Sequence, residues 1–132
     1  RVQPGVVLAE LNRHLARQGL LFGPDPSSGD MCKLGGMLAN NSSGPHTLRY
    51  GAVKDNVRAL RICLTSGSRL NARAYRLDDP ALERELAATP ALRELLVLAQ
   101  SHADLIRAKK PAVSKNSCGY NLFGLVDGLA EG

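Results

Sequence analysis

Residues 23–51, GPDPSSGDMCKLGGMLANNSSGPHTLRYG, contain the side chains and gaps most suited to chemistry in this sequence. Gly35 and Gly36 carry no side chain, so a ligand can come close to the backbone there. A short helix over 37–40 would begin just beyond them, and free N–H groups at its start would point at an anion, most naturally a phosphate or pyrophosphate. Asn40, Asn41, Ser42 and Ser43 add neutral donors and acceptors, which suit a polar cofactor better than a metal ion or acid–base work. Read from composition alone, the alternative is a long surface loop with a tight turn at Ser43-Gly44-Pro45. Six of the glycines and three of the prolines fall within 23–51, too many for a regular helix or strand. Loops of this length in compact domains are functional or disordered. Met31, Leu34, Met37 and Leu38 supply apolar anchors and charges are few, which favours an ordered, functional loop.

Elsewhere the residue types point away from a reaction centre. His14 falls near the polar side of a helix and is expected in solvent, and His102 falls within a core-facing amphipathic helical hairpin expected to carry no site. Cys32, Cys63 and Cys118 are odd in number and contain no CxxC pair, which fits a reducing compartment and argues against a disulfide framework or a zinc site. A cytoplasmic location is therefore expected. The net charge of +5 raises the question of nucleic acid, but Arg13, Arg17, Arg58, Arg61, Arg69, Arg73 and Arg76 are scattered among apolar positions. No basic run with interleaved aromatics appears, so no nucleic-acid partner is expected. No apolar stretch reaches membrane-spanning length and no signal peptide is visible.

The elements that must position the loop are periodic. Arg1 to Gly5 reads as an extended segment closed by a turn. Val7, Leu8, Leu11 and Leu15 recur at helical spacing, predicting a helix over 7–18 that Gly19 ends. Leu60, Ile62 and Leu64 alternate with Arg61 and Cys63, and residues 69–74 return after a Thr65-Ser66-Gly67-Ser68 turn, which predicts a β-hairpin. Asp79-Pro80 and Thr89-Pro90 each open a helix. The second carries a stripe of Leu92, Leu95, Leu96, Ala99, Ala103 and Ile106 and stops before Pro111. The 132 residues suit one domain, and the 44% apolar fraction, with only five aromatics, implies a core of Leu, Val and Ala. The expected fold is α+β: a small, mostly antiparallel sheet built from the hairpin and neighbouring strands, with the 7–18 helix and the 80–110 helical pair packed against it.

PDPSS at 24–28, CKLGGMLANNSSG at 32–44 and LRYG at 48–51, in that order and spacing, resemble the second flavin-binding subdomain of FAD-linked oxidases of the vanillyl-alcohol-oxidase type. Within that superfamily, whose FAD-binding domain is called PCMH-type, the match is best with the glycolate oxidase, D-lactate dehydrogenase and D-2-hydroxyglutarate dehydrogenase branch. Residues 2–26 resemble the strand, helix and return that lead into the flavin loop. KNSCGYNL at 115–122 resembles a segment near the flavin on the substrate side, where Lys115, Asn116, Tyr120 and Asn121 would lie.

The resemblance implies FAD as cofactor, with Pro24, Asp25, Ser28, Cys32, Gly35, Gly36, Asn40, Asn41, Gly44, Tyr50 and Gly51 in the cofactor-binding segments. It implies a parent protein that removes a hydride from a small 2-hydroxy acid and passes electrons to a quinone, cytochrome or flavoprotein, with peripheral membrane association of that parent left open. Residues 1–132 would form the second subdomain, carrying a helical insert at about 79–110. The first subdomain, the substrate cap, the carboxylate clamp and the general base would lie in other parts of the parent, so no catalytic and no metal-ligating residue is assigned. His46 invites a covalent flavin bond, but the family makes that bond in other segments. A reading from another class is a non-enzymatic phosphate, nucleotide or nucleic-acid binding module. A third is a piece that folds without any ligand.

Overall fold

The computed structural model describes residues 1–113 and 120–131. The chain forms two compact units, Arg1–Val57 and Arg58–Gly132. Lys115, Asn116 and Cys118 lie outside the described residues.

In the first unit, helix α1 (Leu8–Ala16) is entered through a single antiparallel bridge between Val7 and Lys33. Its end is set by Gly19, whose φ of 68° lets the N–H of Leu20 reach Leu15 O and its own N–H reach Ala16 O, so the last carbonyls are capped. The helix is shorter at both ends than periodicity suggests, because Val7 is taken by the bridge and Arg17 and Gln18 belong to the cap. Helix α2 (Leu34–Ala39) follows the bridge, α3 (Thr47–Tyr50) is a single turn, and Val53–Asn56 forms a 3-10 turn. Leu8, Leu34, Met37 and Val53 form the buried core, with Val6, Leu11, Phe22, Cys32, Leu38 and Val57 packed around it. Each such burial contributes about 1.5–3 kcal/mol. The apolar side of helix α1 is covered within its own unit by α2 and the loop, whose scattered apolar residues converge on Leu8.

The second unit holds the expected hairpin, β1 (Ala59–Cys63) and β2 (Arg69–Arg73), with Ile62 opposite Leu70 and Cys63 opposite Arg69. It makes a two-stranded sheet, and the neighbouring strands foreseen for it are not found among the described residues. The Glu85 carboxylate accepts from the backbone and side-chain N–H groups of Asn71 at 3.3 and 3.0 Å, which ties the hairpin to helix α4 (Pro80–Ala88). The Asp79 carboxylate caps α4 by accepting from Ala81 N–H at 2.8 Å. The single helix foreseen after Pro90 is two, α5 (Pro90–Ser101) and α6 (Ala103–Ala108), broken at His102, whose φ of −116° leaves the helical region. The break folds Ala99 and Ile106 onto a helix that the sequence reading did not foresee, α7 (Leu122–Glu131), whose Val126 is buried with them. The α+β class holds, with helices outweighing strands.

Candidate functional site

The loop between α1 and β1 is ordered by three sets of backbone contacts. The first is a peptide mimic on α1. The Asn12 side chain accepts the N–H of Phe22 at 2.9 Å and donates to its carbonyl at 3.3 Å, so the chain leaving α1 returns along that helix as though paired with a strand. Sequence reasoning missed this residue; the available signal was an amide on the flank of the Leu8, Leu11, Leu15 stripe. Removing it strands both Phe22 groups in a half-buried place, which costs about 1–3 kcal/mol. Asn12→Ala is expected to lower the melting temperature of the protein by several degrees, and Asn12→Asp to restore at most the acceptor half.

The second set fixes α2. Leu34 N–H donates to Val6 O at 3.0 Å and Gly35 N–H to Pro4 O at 2.8 Å. The first two N–H groups of the helix are thus engaged by the N-terminal segment, and the helix starts three residues earlier than foreseen. Gly35 is needed for that approach, since a Cβ there would lie 2.9 Å from Pro4 Cβ. Gly36 differs. It is exposed, and a Cβ there would meet nothing within 4 Å. Asn40, exposed and one helical turn on, shares its face. Gly36 and Asn40 together offer backbone unscreened by a side chain beside a neutral amide, and the glycine surface is one that a Cβ would fill. That fits the approach of a polar, anionic cofactor.

Asn41 ends α2 with φ 44°, in the left-handed region that Asn tolerates better than most residues. Its N–H reaches Leu38 O and that of Ser42 reaches Met37 O, while its side-chain oxygen accepts from Lys54 N–H at 3.0 Å. The 3-10 turn is thereby bound to the end of α2.

The third set joins the start of the loop to its end. Gly23 lies against Tyr50, where a Cβ would stand 2.6 Å from Tyr50 Cβ, and Gly44 lies against the backbone and carboxylate of Asp25. Pro24, between these contacts, is fully buried. The Asp25 carboxylate accepts from His46 N–H at 3.3 Å and pairs with His46 Nδ1. Thr47 Oγ1 accepts from Gly44 N–H at 2.9 Å and donates to Gly44 O, which holds the turn before α3. The Arg49 guanidinium stands 5.3 Å from the centre of the half-buried Tyr50 ring. Gly51, at φ 74°, packs on Asp55, whose carboxylate accepts from Ala52 N–H at 2.8 Å.

Of the residues singled out in sequence, Pro24, Asp25, Gly44 and Tyr50 are therefore brought together where the loop's two arms meet, and Gly35, Gly36, Asn40 and Asn41 share α2. Ser28 and Cys32 serve a turn of their own, in which Ser28 O accepts from Met31 and Cys32 N–H groups at 2.9 and 2.8 Å; Cys32 O in turn accepts from Leu8 N–H at 3.0 Å. In the second unit, Tyr120 and Asn121 are exposed. His46 acquires a partner that its position in the sequence did not suggest.

The side-chain hydrogen bond from His46 holds the Asp25 carboxyl below its usual 3.8. A depressed folded value means the pair's contribution is complete above the ordinary Asp range and is lost as pH falls through the lower, folded value. Amide exchange of His46 N–H, followed as pH is lowered, is expected to keep its protection at the ordinary Asp value and to lose it only below; loss well above that value would contradict the pairing.

Residues 1–73, which cover the whole loop and the hairpin, match the model of a family described as the FAD binding domain. The chain is 34% identical over 131 residues to D-2-hydroxyglutarate dehydrogenase of Pseudomonas putida, covering 96% of this chain and 13% of that protein. It is 35% identical over 83 residues to glycolate oxidase subunit GlcD of Escherichia coli K12, covering 63% of this chain and 17% of that protein. The chain thus spans about an eighth to a sixth of the length of these relatives. Among solved structures, an alkyldihydroxyacetonephosphate synthase superposes with a TM-score of 0.51 at 34% identity, over 58% of this chain and 14% of that one. A loop knitted at both ends around an exposed glycine, in a sequence that the family model matches from Arg1 through the end of β2, places the chain in the FAD binding domain family.

Proposed function

We propose that this chain is the second FAD-binding subdomain of a flavin-dependent oxidoreductase acting on a small 2-hydroxy acid, with residues 79–110 as a helical insert. The observation that carries the proposal is the α2 surface, where Gly36 and Asn40 stand exposed on a loop whose ends are closed by Gly23, Asp25, Gly44 and Tyr50. Gly36 N–H would donate to the FAD pyrophosphate, and the Asn40 amide would serve a neighbouring polar group of the cofactor. Tyr50 and Pro24 would line the loop's closed end. Asn41 would contribute by ending α2, with its side-chain oxygen engaged by Lys54 N–H.

When bound, the flavin supplies the redox chemistry by accepting the hydride of the substrate's carbinol carbon as the hydroxyl proton leaves, giving a 2-oxo acid. The acceptor of the two electrons would be a quinone, cytochrome or flavoprotein. This chain's part is to bind and orient; no residue of it is assigned to proton transfer. The relatives named for D-2-hydroxyglutarate and glycolate support the substrate class. A phosphate or nucleic-acid module is not favoured, because the cationic side chains do not gather. Arg73 pairs with Asp79, Arg76 with Asp78, Arg107 with Asp104 and Lys110 with Asp127.

The test is the absorbance spectrum of the protein that carries this chain, followed by anaerobic addition of D-lactate, glycolate and D-2-hydroxyglutarate in turn. Bleaching of the flavin band by one of the three is expected. A colourless protein that also takes up no added FAD overturns the proposal.

A further inference from the structure

The Asp25–His46 pair is unlike an ordinary surface ion pair. Its side chains are 37% and 66% exposed, and isolated pairs so exposed contribute little to stability. This one joins residues 21 apart in sequence, and the same carboxylate accepts from both the backbone N–H and the ring of His46. Beside it, Gly44 meets Asp25 and Gly23 meets Tyr50, so the arms 23–25 and 44–50 touch at three places. Between those arms hangs all of α2. We infer that Asp25 and His46 are a latch, positioning residues that hold the loop closed around α2 and so set the Gly36–Asn40 surface for FAD, without themselves touching the cofactor.

Two physical arguments support the role. Both carboxylate oxygens are engaged by His46, which fixes the Asp25 carboxylate against the loop's other arm, where a carboxylate free to swing would repel an approaching diphosphate. Closing a loop of this length costs chain entropy at the moment of binding unless the closed form already exists, and preorganisation removes that cost from the affinity for the ligand. The latch therefore acts on cofactor affinity more than on global stability. The inference rests on the FAD-binding reading above, and its test separates the two.

FAD is titrated by fluorescence quenching into the wild-type protein and into Asp25→Ala, His46→Ala, the double variant and His46→Arg, and amide exchange at His46, Thr47 and Gly51 is followed in each without FAD. Each alanine variant is expected to raise the Kd about tenfold, and the double variant no further than either, since one interaction is removed in all three. His46→Arg keeps N–H donors for the carboxylate and is expected to return the Kd to within about threefold of wild type. Melting temperatures should stay near wild type, because a single pair this accessible contributes little to global stability. Exchange at the three amides should quicken in the alanine variants. A wild-type protein that takes no FAD, with quickened exchange in the variants, overturns the FAD reading and leaves the latch. Unchanged exchange, or FAD affinity unchanged in both single variants or falling additively in the double, overturns the latch.

Discussion

Gly36→Val is expected to strip FAD from the protein while leaving it folded. The site of substitution is exposed and a Cβ there meets nothing within 4 Å, so the fold has no steric reason to object. Valine in place of glycine inside a helix is, if anything, gained stability, on the order of a few tenths of a kcal/mol. The expected loss comes wholly from the ligand side. A branched side chain over Gly36 N–H would deny the pyrophosphate its proposed approach and remove a charge-assisted hydrogen bond of about 1.5–3 kcal/mol besides. Together these should raise the Kd by at least a hundredfold. The flavin-to-protein absorbance ratio of the purified variant, alongside its circular dichroism, checks both halves. Full flavin content would show that Gly36 is not where the cofactor approaches.

Gly44→Ala is expected to do the reverse, damaging the fold first. The added methyl would occupy the space of the Asp25 backbone carbonyl, which cannot swing aside as a flexible side chain could. Relief requires the two arms of the loop to part, and parting them exposes Pro24 and loosens Tyr50 from Gly23. Overpacking of this kind costs about 1–3 kcal/mol or more, enough to lower the melting temperature by roughly 10 °C in a unit of this size. Gly36→Ala is the matched control, with no drop expected. A Gly44→Ala protein that melts with the wild type would mean the arms do not meet as described.

The two glycines illustrate how the loop divides its labour. Most of its small residues exist so that the chain can approach itself: Gly35 admits Pro4, Gly23 admits Tyr50 and Gly44 admits Asp25. Only at Gly36, among those on α2, is the cleared space left facing solvent. The same division makes the two members of the Gly35-Gly36 pair unequal. The N–H of Gly35 is already bonded to the N-terminal segment, whereas a Gly36 contact would complete the turn from outside.

Much of this protein is legible in its sequence for local reasons. Hairpin, turn and helix starts are encoded by neighbours a few residues apart: the alternation of Leu60 and Ile62 with Arg61 and Cys63, Gly67 in its turn at φ 83°, and Asp79 ahead of Pro80. The family, and with it FAD, is carried by the string from Pro24 to Gly51, because close backbone approaches demand particular small residues at fixed spacing. Tertiary structure alone decided what those residues approach. Nothing local says that Asn12 will stand in for a peptide group beside Phe22, that Asp25 will meet His46, or that the helix after Pro90 will break at His102 to enclose Val126. Each of these is a contact between residues ten or more positions apart, or a backbone choice made to satisfy one, and its energy is realised only once the chain has folded back on itself.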